Sequence, residues 1–348
     1  MSLTRPIIAR AIRDTIRPAS CLRLLLIALV LGPGAGSLRA MDGMAAKHQA
    51  TEREAAEQAL MLGQIDVAVA SFQRIAEAHP MDGQTYLLLC RSYYAEDHAD
   101  EAIAACARAV RALPHSSEAQ DWMGRAYGMK AEHAGPFAGL RLALKVKNAF
   151  ETAVALDASN GAAANDLSEF YINAPGIVGG GQDKAIALAD RVAAQLPQQA
   201  HRMRALTAEK RKDYATAERE FRAAVDVANR PDAWVDLGAY YLRRGQADQA
   251  LHALNQCLAV DRVKDASIVD AASLLIEMHR EPRVAQQALR DYLASDAQSD
   301  AAPVIRVRVM LGKMLAAAGD KAGAKIEFDK ALEMASGYAP AKQALREL

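Results

Sequence analysis

The chain has 348 residues, of which 51% are apolar, 24% charged and 5% aromatic, and its 42 basic residues balance 42 acidic ones. This composition excludes an intrinsically disordered protein, which has few apolar residues or a large net charge. It also argues against a nucleic-acid-binding protein, because no basic excess is present to neutralise phosphates. We therefore expect a folded protein without a nucleic-acid partner.

Residues 1–40 differ in composition from the rest of the chain. They contain six arginines and one acid, Asp14, and an unbroken apolar run of eight residues, Leu24–Leu31, is followed by small residues. A basic stretch, a short apolar core and small residues are typical of a secretory signal peptide. The run is too short to cross a membrane, which needs about 20 residues. The sequence predicts an exported, periplasmic protein; the alternatives are an uncleaved inner-membrane anchor and a cytoplasmic protein that starts at Met41.

A pattern recurs along the rest of the chain. Residues 234–241 read W-x2-L-G-x2-Y, residues 86–93 read Y-x2-L-C-x2-Y, and Pro80 and Pro114 lie 34 residues apart. This pattern resembles the tetratricopeptide repeat (TPR) family, whose 34-residue unit reads W-x2-L-G-x2-Y…A-x3-F…P. Each unit of that family is a pair of antiparallel helices, A and B, and stacked units bury a continuous core.

The resemblance implies an all-α fold, a TPR α-solenoid in which antiparallel helix pairs form a right-handed superhelix over residues 41–348. Close helix contacts require small side chains at positions 8, 20 and 27 of each unit, and large helix-B side chains then fill the seams. We predict these anchors to be Phe72, Phe150, Phe221 and Phe328. We place eight units, followed by a C-terminal capping helix from Tyr338 to Leu348; they begin near Gln49, Gly83, Ser117, Gly161, Gln198, Pro231, Ala266 and Ile305.

Two consecutive units are longer than the repeat. The extra residues fall near 128–140 in the third unit and near 174–181 in the fourth. Because the turns between helices A and B lie along one edge of a TPR stack, we expect two neighbouring loops that dock a partner. The alternative is a packing extension in which Phe137 and Ile177 bury each other. The candidate residues of this loop edge are His133, Phe137, Pro175, Gly176, Ile177 and Val178.

A second candidate site follows from the resemblance, because helix A of each unit lines a concave groove in this family. Arg91 and Arg125 share a position in adjacent units, so they should stack about 10 Å apart. Beside aromatic side chains, two guanidinium groups suit a peptide that carries carboxylates. The alternative is a solvated arginine pair that faces Asp121 and Glu169. The candidate groove residues are Arg91, Tyr94, Asp121, Trp122, Arg125, Asn165, Glu169, Asn173 and Arg202.

Motifs of catalysis and metal binding are missing from the sequence. It has no Walker pattern, no HExxH, no GxSxG and no Cys/His metal spacing, so we predict no enzyme, no cofactor and no metal site. Cys90 and Cys106 occupy positions 8 and 24 of one unit, where two buried thiols are favoured over a disulfide.

These features predict a non-enzymatic scaffold of the bacterial cell envelope, which binds a protein or peptide partner in the groove and at the loop edge. One alternative is an accessory factor for assembling envelope complexes, of the cytochrome-maturation or polysaccharide-export type. Another is a hydrolase-like enzyme that uses Glu132 and His133 at the loop edge. No membrane span is predicted beyond the possible leader.

Overall fold

A computed structural model of the protein describes residues 51–348, so the predicted leader lies outside the described residues. The described part of the chain consists of consecutive α-helices and contains no β-strand. The helices are α1 (51–61), α2 (Ile65–Ala78), α3 (Gly83–Ala95), α4 (Ala99–Ala112), α5 (Ser117–Glu132), α6 (Pro136–Leu156), α7 (Gly161–Asn173), a 3₁₀ turn η1 (Gly176–Val178), α8 (Gln182–Val192), α9 (Pro197–Lys210), α10 (Tyr214–Ala228), α11 (Pro231–Arg243), α12 (Ala247–Val260), α13 (Ala266–Glu277), α14 (Pro282–Ala294), α15 (Val304–Ala317), α16 (Lys321–Met334) and α17 (Ala339–Glu347).

The helices pair in chain order as the repeat predicts. Odd-numbered helices up to α15 are the A helices, each followed by its B partner, and α17 packs on α16 as the capping helix. Polar side chains fix several A-helix starts: Asp82 accepts hydrogen bonds from the backbone of Gln84 and Thr85, and Ser116 accepts one from Ala119. Such N-caps satisfy donors that have no partner inside the helix. The prediction of an all-α solenoid is confirmed.

Small residues at position 8 of helix A allow helix B to approach closely. A methyl group added to Gly312 would lie 2.4 Å from Phe328, and one added to Gly124 would lie 2.4 Å from Phe150. The four predicted phenylalanine anchors are all buried. The glycine therefore makes the room that the large side chain of the same unit fills, which is how the repeat builds its core.

Cys90 and Cys106 stand at these same two positions in the second unit. The structure joins them in a disulfide between α3 and α4, so the expectation of two free thiols is wrong. The physical reason is the approach of the helices: where a small and a large residue meet in other units, two cysteines bring their sulfur atoms within bonding reach. Cys257 is a buried free thiol.

The first and last units contact each other. The Oδ2 atom of Asp66 accepts a hydrogen bond of 2.9 Å from the backbone nitrogen of Ser336. A methyl group added to Gly63 would lie 2.7 Å from the Cβ atom of Val304. One hydrophobic cluster accordingly contains residues of both ends of the described chain. The row of units thus turns back on itself.

The insertion in the third unit is not the loop that we expected. Helix α5 runs on to Glu132 and α6 begins at Pro136, so the extra residues lengthen both helices. Two signals explain this: a proline is tolerated in the first turn of a helix, and α6 continues with good helix formers. None of the helices between residues 51 and 348 is long and apolar enough to cross a membrane.

The insertion in the fourth unit forms the turn η1, which packs against α6. Its Val178 is fully buried in a cluster with Leu140 and Val146 of α6. A side chain on Gly180 would collide with the carbonyl oxygen of Ala174, 1.8 Å away, which explains one glycine of the run. The second insertion therefore lies beside the lengthened helix of the first.

Candidate functional site

The predicted groove residues lie on four consecutive A helices, α3, α5, α7 and α9. Each of these helices contacts the next A helix of the row, and α9 contacts α11. We call the surface formed by the predicted groove residues the inner face; these residues are Arg91, Tyr94, Asp121, Trp122, Arg125, Asn165, Glu169, Asn173 and Arg202.

Arg91 is paired with a carboxylate from the far end of the chain. Its Nε atom lies 2.5 Å from Oδ2 of Asp300, and its Nη1 atom lies 3.4 Å from Oε1 of Glu118. Asp300 belongs to the irregular connection between α14 and α15, and the repeat pattern does not predict its contact with Arg91. The available signal was the length of the unit that begins at Ala266, which exceeds the 34-residue period before α15 starts.

The connection that carries Asp300 is held in place by Tyr292. The buried phenol donates a hydrogen bond of 2.7 Å to the carbonyl oxygen of Ala302 and accepts one of 2.9 Å from the backbone nitrogen of Ser299. The carboxylate therefore reaches Arg91 from a fixed segment of backbone.

An aromatic pair lies beside the two predicted arginines. The rings of Tyr94 and Trp122 meet edge to face with their centroids 5.3 Å apart. The guanidinium carbon of Arg91 lies 5.8 Å from the centroid of Trp122, and that of Arg125 lies 4.8 Å from it. Both cations therefore contact one buried indole, in the arrangement that cation–π attraction favours.

Arg125 is paired with two carboxylates. Its Nε atom lies 2.7 Å from Oδ2 of Asp166 and 3.2 Å from Oδ2 of Asp121. Burial raises the pKa of Asp121 to about 7, despite the opposing charge of Arg125. Burial also raises the pKa of Asp166. The two carboxyl groups and Arg125 therefore form a partly buried cluster in which burial favours the protonated form of the acids.

Arg202 repeats this arrangement further along the inner face. Its Nη2 atom lies 2.8 Å from Oε1 of Glu169, and its Nε atom lies 2.9 Å from Oδ2 of Asp236. Asp236 was not predicted. Asn173 donates a hydrogen bond to the backbone oxygen of Glu169 and accepts one from Lys210.

Several buried side-chain polar atoms have no hydrogen-bond partner. Three of them belong to predicted groove residues: Asp121 Oδ1, Asn165 Oδ1 and Arg202 Nη1.

The three arginines of the inner face are thus paired with carboxylates of the chain itself. Each touches two acids, so carboxylates outnumber guanidinium groups in these contacts. Of the two acids in the alternative, Asp121 contacts Arg125 and Glu169 contacts Arg202, while the side chains of Arg91 and Arg125 are only 18% and 25% exposed. A carboxylate of a partner would have to displace one of the chain's own.

The loop-edge residues separate into exposed and buried ones. Phe137 and Ile177 are 83% and 64% exposed, so the two side chains do not bury each other. His133 and Gly176 are also exposed and Pro175 is half-buried, whereas Val178 is buried and unable to contact a partner. The edge therefore presents two isolated apolar side chains to solvent.

A cleft that the repeat pattern does not predict lies between α10, α11 and α12. It has a volume of about 400 Å³, and Trp234, which the repeat pattern assigns to the core, forms part of its wall and stays half-buried. Between residues 51 and 348, no group of three or more His, Cys, Asp or Glu side chains is placed to hold a metal ion.

Comparisons with known proteins agree with the repeat. Family models described as tetratricopeptide repeat match residues 53–117 and 231–264. No curated protein matches the chain. The solved structures that resemble it share little sequence. At these identities and TM-scores none of the following transfers a function.

A thermophilic TPR protein of Thermus thermophilus is 16% identical with a TM-score of 0.44, over 66% of this chain and 99% of its own. Yeast Tom70 is 16% identical with a TM-score of 0.49, over 84% of this chain and 64% of its own. A TPR protein of Parabacteroides merdae is 15% identical with a TM-score of 0.42, over 86% of this chain and 98% of its own. The two family matches, in a chain built of antiparallel helix pairs from residue 51 onward, show that this protein contains tetratricopeptide repeats.

Proposed function

We propose that the protein is a non-enzymatic scaffold of the bacterial cell envelope that binds an extended protein segment on its inner face and at the loop edge. The TPR fold itself supports a role in protein interaction, because stacked units present a long continuous surface. The observation that carries the inner-face assignment is the series of arginine–carboxylate clusters around Arg91, Arg125 and Arg202, beside the aromatic pair.

The pairing of these arginines defines the chemistry of the partner. Since carboxylates outnumber guanidinium groups, the inner face favours a segment that carries lysine or arginine over one that carries carboxylates. This differs from the acidic peptide that the arginine pair suggests in the sequence alone.

The inner-face assignment is tested by a double substitution, Arg91→Ala with Arg125→Ala. Partners crosslinked to the wild-type protein in its native envelope should be lost, since the variant removes the side chains that hold Asp300, Asp166 and the ring of Trp122 in place. The matched control is Arg74→Ala with Arg211→Ala, which removes two arginines with 66% and 41% exposed side chains outside the proposed binding surfaces. If every partner stays bound at low salt in the first variant, with its melting temperature near that of the control, the inner face is not the binding surface.

The loop-edge assignment is tested by Phe137→Ser with Ile177→Ser. Both side chains are exposed, so the melting temperature should stay unchanged while partner capture falls. Val178→Ser is the contrasting variant, because it damages the packing of η1 on α6 and should lower the melting temperature. Full capture by the folded double variant would exclude the loop edge from binding.

Two features support the envelope location. The composition of residues 1–40 is typical of a signal peptide, and the Cys90–Cys106 disulfide is a bond that persists in oxidising compartments such as the bacterial periplasm. Mass spectrometry of the protein from fractionated native cells should find a mature N-terminus after the apolar run, in the envelope fraction. An intact Met1 in the cytosolic fraction, with both cysteines reduced, would refute export.

A further inference from the structure

The cleft between α10, α11 and α12 lies apart from the inner face and has an apolar floor. Val225, Leu237 and Tyr241 are all buried there, and the half-buried ring of Trp234 forms a wall. Its volume of about 400 Å³ falls in the range of side-chain and small-ligand sites. We call this space the α10–α12 cleft.

Both aromatic rings of the cleft are fixed by hydrogen bonds. The indole Nε1 of Trp234 donates to Oδ1 of Asn229 at 2.8 Å. The phenol of Tyr241 donates to Oε1 of Glu218 at 2.9 Å and accepts from Arg222 at 2.8 Å. A ligand would therefore meet a preorganised wall, which reduces the ordering cost of binding.

The charges at the rim of the cleft favour a cation. Asp226 and Asp248 line it, and among the described residues no ion pair neutralises Asp226. The side chain of Asp248 is 95% exposed, and its contact with Arg280 is long, at 3.4 Å. Arg222, the cation that also lines the cleft, is already bound by Glu218 at 2.9 Å. The carboxylates at the rim are therefore available to a positively charged group.

We propose that the α10–α12 cleft binds an arginine side chain of a partner protein. Its methylene groups would lie against Leu237 and Val225, its guanidinium plane against the indole of Trp234, and its charged end between Asp226 and Asp248. A neutral side chain of the same shape would gain the apolar contact and lose the ionic one. The inference does not rest on the role of the inner face, because none of its residues belongs to that surface.

The test uses the full-length protein and two short blocked peptides, acetyl-Gly-Arg-Gly-amide and its citrulline counterpart, which has the shape of arginine without the charge. The chain has two tryptophans, so the indole N–H signal of Trp234 can be assigned in NMR spectra with a Trp234→Phe variant. The arginine peptide should shift that signal to saturation, and the citrulline peptide should bind at least about tenfold more weakly.

Asp226→Asn should lower the affinity for the arginine peptide by about tenfold. It should not disturb the hydrophobic core, because Asp226 is exposed. Asp329→Asn on α16, which removes an acid outside the cleft, is the matched control and should leave the affinity unchanged. Equal binding of the two peptides, an equal loss in both variants, or no shift of the Trp234 signal would each overturn the proposal.

Discussion

The Nε atom of Arg91 lies 2.5 Å from the Oδ2 atom of Asp300, although 209 residues separate the two along the chain. This pair joins the second unit to the connection before the last one. Together with the contact between Asp66 and Ser336, it makes the two ends of the described chain neighbours. In a linear repeat array, only adjacent units contact each other. In this protein, contacts between units that are distant in sequence also contribute to the free energy of unfolding.

Loss of the Asp300 carboxylate should destabilise the protein. Asp300→Asn leaves Arg91, whose side chain is 18% exposed, without its nearest counter-charge, so we expect the free energy of unfolding to fall by about 1–3 kcal/mol. Urea unfolding measures this change. Asp183→Asn removes an acid whose side chain is 99% exposed, and should leave the midpoint almost unchanged. If both variants change the urea midpoint equally little, the contact between Arg91 and Asp300 does not stabilise the fold.

Alanine at Gly312 should be more harmful than alanine at another helical glycine. The new methyl group would lie 2.4 Å from Phe328, and this overpacking should cost about 1–3 kcal/mol of unfolding free energy. Gly128 is also helical but has nothing within 4 Å of the same position, so Gly128→Ala should stabilise the protein by up to about 1 kcal/mol. Thermal or urea unfolding compares the stabilities of the two variants. If both substitutions stabilise the protein, or both destabilise it, the packing described here is wrong.

Reduction of the Cys90–Cys106 disulfide should lower stability without unfolding the protein. The bond closes a loop between residues 16 apart, for which chain entropy predicts a stabilisation of about 3 kcal/mol. We expect the Cys90→Ser, Cys106→Ser variant to melt at a lower temperature than the wild type, and to be insensitive to reductant. Alkylation in denaturant, before and after reduction, counts the thiols. If reductant does not change the melting temperature of the wild-type protein, the disulfide is not formed.

Stability should fall as the pH rises from about 4 towards 7, through the contribution of Asp121. The pKa of its carboxyl group is 3.8 when exposed and about 7 when buried in the native state, so the native protein holds the extra proton in this window. Each pH unit should then cost at most about 1.4 kcal/mol, and the loss should level off above pH 7.

Asp121→Asn tests this sign, since the amide cannot ionise. The free energy of unfolding of the wild type minus that of the variant should decrease from pH 4 to 7 and stay constant above it. Urea unfolding at each pH provides the values. A difference that does not change across the window would show that Asp121 is already ionised in the folded protein.

Much of the architecture follows from the amino-acid sequence. Helix pairs, their order and the buried phenylalanines depend on local propensity and on a period of small and large residues, both of which are properties of one unit and its neighbour. The predicted starts at Gly83, Ser117 and Gly161 match the helices of the structure. The groove candidates likewise lie on successive A helices because each occupies a helix-A position of its unit.

Only the tertiary structure decided what those candidates contact. The partner of Arg91 comes from 209 residues away, Asp236 pairs with Arg202, and the extra residues of the third unit extend helices where a loop was expected. A period records which residues face a neighbouring unit, but it holds no information about a contact between the first and last units, or about which acid reaches a buried guanidinium. Those depend on how the whole row of units curves, because curvature accumulates from small rotations that no single repeat specifies.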